Sequence, residues 1–157
     1  MAFALCLDVK RELVESLREA GFPPPTVDDL VSLTAVGVDP DYVHGLAVHG
    51  YRPRSLDGLV QMRAVGITAA WIADFGRIGL ADLSLDDLVE LRALGVDAAY
   101  VNSFRTAGYG TLPAKSLVAM KALGVTADFA LNVERHMGRQ TPDRLVELKA
   151  LGITWRD

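Results

Sequence analysis

The stretch that decides the fold runs Ser84-Leu-Asp-Asp-Leu88-Val-Glu-Leu-Arg-Ala-Leu-Gly95-Val-Asp97-Ala-Ala-Tyr100-Val-Asn-Ser-Phe104-Arg-Thr-Ala-Gly108-Tyr109. It reads as two short helices, each closed by a glycine. In the first, helix A, Leu88, Leu91 and Leu94 fall on one side of a 3.6-residue helix, with Val89 and Ala93 on its flank. Ser84 is placed to accept a bond from a free N–H of the first turn, and Asp86 and Asp87 sit where the helix dipole favours negative charge. Gly95 stops the helix after about 10 residues, or about 15 Å. The second, helix B, starts at the capping residue Asp97, shows the apolar face Tyr100, Val101 and Phe104, and ends at Gly108 with Tyr109 folded back over it.

The rest of the chain repeats this unit. The pair Leu88-Val89 recurs as Leu30-Val31, Leu59-Val60, Leu117-Val118 and Leu145-Val146, at steps of 29, 29, 29 and 28 residues. Gly37, Gly66, Gly95, Gly124 and Gly152 each follow seven positions later, and Gly21, Gly50, Gly79, Gly108 and Gly138 fall between them. A fixed period of this size marks stacked repeats. Helices this short are marginal alone, so each pair needs a neighbour to bury its apolar stripe. The expected fold is therefore all-α: an α-solenoid of about four helix-turn-helix repeats, built from antiparallel helix pairs.

The period predicts one helical repeat domain over residues 1–157. An N-terminal capping helix covers 1–22. Leu13, Val14 and Leu17 match Tyr100, Val101 and Phe104, but Asp8 stands where a closing glycine belongs, so one longer helix is expected. Pro23-Pro24-Pro25 then imposes an extended connection. Repeats follow over 26–54, 55–83, 84–112 and 113–140. Thr26 and Ser55 cap their first helices, and Pro113 is read as a first-turn proline. Tyr42, Trp71 and Phe129 occupy the slot of Tyr100, as core residues rather than a stacking platform. In the fourth repeat, helix B reads one residue longer and the following loop two shorter. Thr141-Pro142 opens a terminal half repeat over 141–157, which leaves Ile153 to Asp157 without a partner helix: either Trp155 folds back as a cap, or the parent chain continues.

Composition bounds the function. The 157 residues are 50% hydrophobic, with a mean hydropathy of +0.23, which suits a packed domain and not a disordered one. The net charge of −4 and pI of 5.3 argue against a nucleic-acid partner, whose backbone calls for a basic surface. The lone Cys6 permits no internal disulfide, so a cytoplasmic location is expected, with the periplasm as the alternative if the chain belongs to a longer envelope protein. No run reaches the roughly 18 apolar residues of a membrane span, so no direct membrane insertion is expected.

Positions that agree between repeats hold the stack, and positions that differ are free for other work. In helix B the variable slots are His44, Gly45, Ala47, Val48 and His49 in the first repeat, then Ala73, Asp74, Gly76, Arg77 and Ile78 in the second. The third has Asn102, Ser103, Arg105, Thr106 and Ala107, and the fourth Leu131, Asn132, Glu134, Arg135 and His136. If helix B lines a concave face, these residues line a groove. The ten candidates for partner contact are His44, Val48, Asp74, Arg77, Asn102, Arg105, Thr106, Asn132, Arg135 and His136. The plainer account is drift on a solvated face.

Chemistry finds little footing. His44 and His49 are five apart and do not share a helical face, and no His-Glu-x-x-His or cysteine pair exists. Ser103 and Ser116 lack a partnered histidine, and the glycines are helix stops rather than a phosphate loop. Neither enzyme activity nor a metal or cofactor is expected. Arg63, Arg92, Lys121 and Lys149 form a basic column on helix A, read as dipole complementation and loose ion pairs, or as a ladder for an acidic peptide.

The run Ser84 to Val96 with Ala99-Tyr100-Val101 resembles a short helical repeat of bacterial proteins. That repeat is found in the tails of BlaR-type antirepressor membrane zinc peptidases, where it reads Asp-Leu-x-x-Leu-Arg-x-x-Gly-Val-x-x-x-Tyr-Val. The resemblance covers nearly the whole chain and is specific for the repeat, not for an activity. The peptidase motif and membrane helices of those proteins are absent here, so no protease activity carries over. It implies a bacterial accessory or sensing module. The leading expectation is a non-catalytic scaffold that binds a protein or peptide through helix-B residues. The alternative is a ligand-responsive regulatory domain of an envelope or antirepressor system. Unfilled terminal faces leave room for an end-to-end oligomer.

Overall fold

The computed structural model describes residues 2–155, and of their side chains residue 8 and residues 10–155. Met1, Arg156 and Asp157, the last two at the end of the expected half repeat, lie outside the described residues. Among the described residues all regular structure is helical: α1 (Ala2–Glu19), α2 (Val27–Ala35), α3 (Pro40–Val48), α4 (Leu56–Ala64), α5 (Ala69–Arg77), α6 (Leu85–Ala93), α7 (Ala98–Thr106), α8 (Ala114–Ala122), α9 (Ala127–Met137) and α10 (Pro142–Ala150). The chain divides into two compact units within α5, one ending at Ala73 and one beginning at Asp74.

The helices start where the sequence supplies an oxygen for a free N–H. Thr26 and Ser84 form reciprocal capping boxes with Asp29 and Asp87. The Thr26 backbone N–H and hydroxyl both donate to the Asp29 carboxylate, which lowers its pKa. Asp39, Ser55, Asp97, Thr126 and Thr141 accept from the third residue beyond them. Pro113 departs from expectation. It is not in the first turn but at the N-cap position, with φ −67 and ψ 153, and its side chain makes no capping bond. Proline satisfies the φ of that slot but has no side-chain oxygen to offer.

The ends follow one rule. After α6, the N–H of Gly95 bonds to the Arg92 carbonyl and that of Val96 to the Leu91 carbonyl, a Schellman closure with Gly95 at φ 69. The same pair of bonds closes every other described helix except α9. The residue accepting the longer bond is a core residue each time, as with Leu33, Met62, Phe104 and Met120, all with no exposed surface. Stopping the helix and filling the core are thus the same event. Burying such a side chain contributes about 1.5–3 kcal/mol over leaving it exposed.

Helix α9 differs. It has 11 residues against 9 in α7, two more rather than the one expected. Gly138 is its cap directly, at φ 77 and ψ 175, a backbone region open essentially to glycine alone.

Like helices pack on like. In the first unit α2 lies on α4 and α1 on α3; in the second, α6 lies on α8 and α8 on α10. The first helix A has no such helix on its other side: Val27 and Val31 are 76% and 59% exposed, whereas the aligned Leu56 is buried. The expectation of antiparallel pairs is corrected for the fourth repeat. Helices α8 and α9 meet at 91°. The Schellman turn at Gly124 hands the chain directly to the Thr126 cap, and so short a link makes a corner, not a reversal. Among the described residues no single helix is long and apolar enough to cross a membrane.

Candidate functional site

In the second unit, α7 and α9 flank an open depression of about 710 Å3. Each helix buries one stripe and turns another towards it. In α7, Val101 and Phe104 go into the core, which leaves Ser103 and Thr106, with Ala107 just beyond, on the wall of the depression. In α9, Ala130 and Val133 are buried, and Ala127, Asp128, Leu131, Glu134 and Arg135 face the depression. Asp128, Leu131 and Arg135 are spaced three and then four residues apart, so they form one stripe along the helix. Arg139, from the loop after α9, completes the lining.

Arg139 is held at several points. Its Nη1 donates to the Gly108 carbonyl at 2.7 Å and its Nη2 to the Ala107 carbonyl at 3.2 Å. The guanidinium also meets the Glu134 carboxylate at 3.3 Å and lies 5.2 Å from the centre of the Tyr109 ring. Burial raises the Tyr109 pKa, the Glu134 charge adds to the rise and the Arg139 charge opposes it. Glu134 and Arg139 thus neutralise each other on one side of the depression. Asp128 and Arg135 have no ion-pair or hydrogen-bond partner among the described residues.

Of the ten candidates, Thr106 and Arg135 line the depression, together with the variable-slot residues Ser103, Ala107, Leu131 and Glu134. Arg105, Asn102, Asn132, His136, Asp74 and Arg77 belong to the same unit and do not line it. Asn102 and Asn132 are half-buried, and their side-chain oxygens are buried without a hydrogen-bond partner. Asp74 and Arg77 form an exposed ion pair at 2.8 Å. His136 stacks on Trp155 with ring centres 4.9 Å apart and planes 13° apart, so Trp155 does fold back onto the fourth repeat. In the first unit, His44 and Val48 are exposed on α3.

The basic column lies in the last turns of its helices, as dipole complementation requires, and has a further task besides. Arg63 lies 4.9 Å from the centre of the Tyr42 ring, Lys121 4.5 Å from Tyr100 and Lys149 4.8 Å from Phe129. These three cations cover the aromatic slot of the preceding helix B, an arrangement that stabilises through the ring quadrupole. The rings themselves are buried or half-buried, as core residues.

Ala127, Asp128 and Arg139 lie outside the variable helix-B slots. The irregular spacing at Gly138 was the signal for Arg139, because it marks where the repeat departs from its period. No histidine or cysteine lines the depression, and the Ser103 hydroxyl donates to the Tyr100 carbonyl at 2.6 Å. Among the described residues no three His, Cys, Asp or Glu side chains cluster to hold a metal ion. What the surface offers is an apolar centre at Leu131 with charge at its edges. No family model matches the chain, and no curated protein or solved structure matches it either.

Proposed function

We propose that this chain is a non-catalytic protein- or peptide-binding module, an α-solenoid whose helix-B residues in the third and fourth repeats make the contact. The observation that carries this reading is the depression between α7 and α9. Six of its nine lining residues occupy slots that vary between repeats, and it combines an apolar centre with two charges, Asp128 and Arg135, that have no partner among the described residues. An apolar centre inside a charged rim is the layout of a protein or peptide contact surface. In the second unit successive A helices pack on one another, α6 on α8 and α8 on α10, as in a stack of repeats, which supports reading α7 and α9 as its successive B helices.

The test is site-specific photocrosslinking in cells of the organism that encodes the chain. A photoreactive residue at Thr106 is expected to yield a discrete protein adduct, and the same residue at the exposed Val31 is expected not to. Adding Leu131→Arg should abolish the Thr106 adduct. Equal adducts at both positions, or none at Thr106, would refute the module.

A further inference from the structure

We infer that the depression between α7 and α9 takes an extended peptide segment carrying a basic side chain, an apolar side chain and an acidic side chain at every second position. The inference rests on the binding function proposed above and adds the chemistry of the occupant.

Four groups at the depression carry charge, and two of them are already used. Glu134 and Arg139 pair at 3.3 Å, and Arg139 also spends its donors on the carbonyls of Gly108 and Ala107. Asp128 and Arg135 remain, both exposed and both without a partner among the described residues. They are seven residues apart on α9, which is about 10.5 Å along the helix, with Leu131 between them. The surface is therefore a line of acid, apolar group and base. A single free cation, with a free carboxylate two turns away, does not suit a phosphate or a uniformly acidic segment, because such an anion would meet Asp128 as a like charge.

The complement is a line of base, apolar group and acid. An extended chain rises about 3.3 Å per residue and turns successive side chains to opposite faces. Base, apolar group and acid therefore share the face towards α9 only at every second position, about 13 Å from first to last, and the long lysine and glutamate side chains take up the difference from the surface charges. The apolar residue between them rests on Leu131, the one large apolar side chain in the lining. Charge sets which segment is accepted, and the apolar contact holds it.

The test titrates the 15N-labelled protein, at low ionic strength, with three blocked peptides whose cores are Lys-Ala-Leu-Ala-Glu, Lys-Ala-Leu-Ala-Lys and Glu-Ala-Leu-Ala-Glu. The mixed peptide is expected to shift the amide resonances of Thr106, Leu131 and Arg135. The two like-charged peptides should bind on the order of threefold more weakly each, the size of one exposed charge contact. Arg135→Glu should transfer the preference to the doubly basic peptide, and Asp128→Lys to the doubly acidic one. Both residues are exposed, so neither change threatens the fold.

Equal binding of all three peptides that is lost in Leu131→Arg would overturn the charge pattern while leaving the binding module standing. Binding confined to a helical peptide with its charges seven residues apart would overturn the extended occupant. No shift with any peptide would overturn the inference, and the module would then stand or fall on the crosslinking result.

Discussion

Lys121 holds its ammonium 4.5 Å from the centre of the Tyr100 ring, and Tyr100 donates its hydroxyl to the Val125 carbonyl at 2.7 Å. Lys121 lies in the last turn of α8, and Val125 follows the glycine that closes it. One ring is thus gripped twice by the end of one helix. Tyr42 repeats the arrangement with Arg63 and with the Ile67 carbonyl, at 2.9 Å. Tyr100→Phe leaves the Val125 carbonyl without its partner and should cost about 1 kcal/mol. Lys121→Met keeps the apolar stem and loses the charge, for about 0.5–1 kcal/mol. Urea unfolding of both single variants and the double variant is expected to give less than the sum, because the two contacts position the same ring. Full additivity would mean that they act independently.

The same rings make stability depend on alkaline pH. Burial pushes the pKa values of Tyr42 and Tyr100 up to about 12, from an ordinary 10.0. The folded state then holds these protons more tightly than the unfolded chain. The stabilisation is complete below about pH 10 and is lost as pH rises towards 12. Melting temperatures at about pH 9 and about pH 11 should converge between the wild-type chain and a Tyr42→Phe/Tyr100→Phe variant, since phenylalanine has no proton to lose. A constant gap across that range would contradict the argument.

Two glycines should respond in opposite directions. Gly95 closes α6 at φ 69, and no atom would meet an added Cβ there, so only the backbone resists substitution. Gly95→Ala is expected to cost about 1–2 kcal/mol. Gly76 lies within α5 without a positive φ, and a Cβ there also meets nothing. Gly76→Ala should stabilise by about 0.5–1 kcal/mol. Thermal melts of the two variants check both signs.

Much of this fold was legible because its rules are local. Ser84, Asp97, Gly95 and Gly108 each act within about one turn, so the caps, stops and helix type followed from residue spacing. Pro113 was misplaced by one position because a proline fits either the cap or the first turn. The 91° corner between α8 and α9 depends on turn geometry that spacing does not encode. The basic and aromatic columns were both visible, but their meeting was not, since Lys121 comes from the repeat after the one that carries Tyr100. The site was legible only in part: its walls are helix-B residues, yet Arg139 reaches Gly108 across 31 positions of chain.

That long reach can be tested at Gly108. An added Cβ there would stand 2.7 Å from the Arg139 guanidinium, so Gly108→Ala must displace Arg139 besides straining a backbone at φ 88. Arg139→Ala should cost about 1 kcal/mol on its own, discounted for exposure. In the double variant the guanidinium is already gone, and the total should fall short of the sum. A sum that holds in urea unfolding would show that Arg139 moves aside freely.

Asn102 offers the opposite kind of test, a gain. Its side-chain oxygen is buried without a hydrogen-bond partner, and such an acceptor costs about 1–3 kcal/mol of desolvation. The fourth repeat places Leu131 in the aligned slot, which shows that a branched apolar side chain is compatible with that position of helix B. Asn102→Leu is therefore expected to stabilise the chain by about 1 kcal/mol, seen as a higher melting temperature. Because Asn102 does not line the depression, the variant should bind the mixed-charge peptide as the wild-type chain does. A lower melting temperature would show that the oxygen is satisfied in solution. Weakened peptide binding would place Asn102 in contact with the partner.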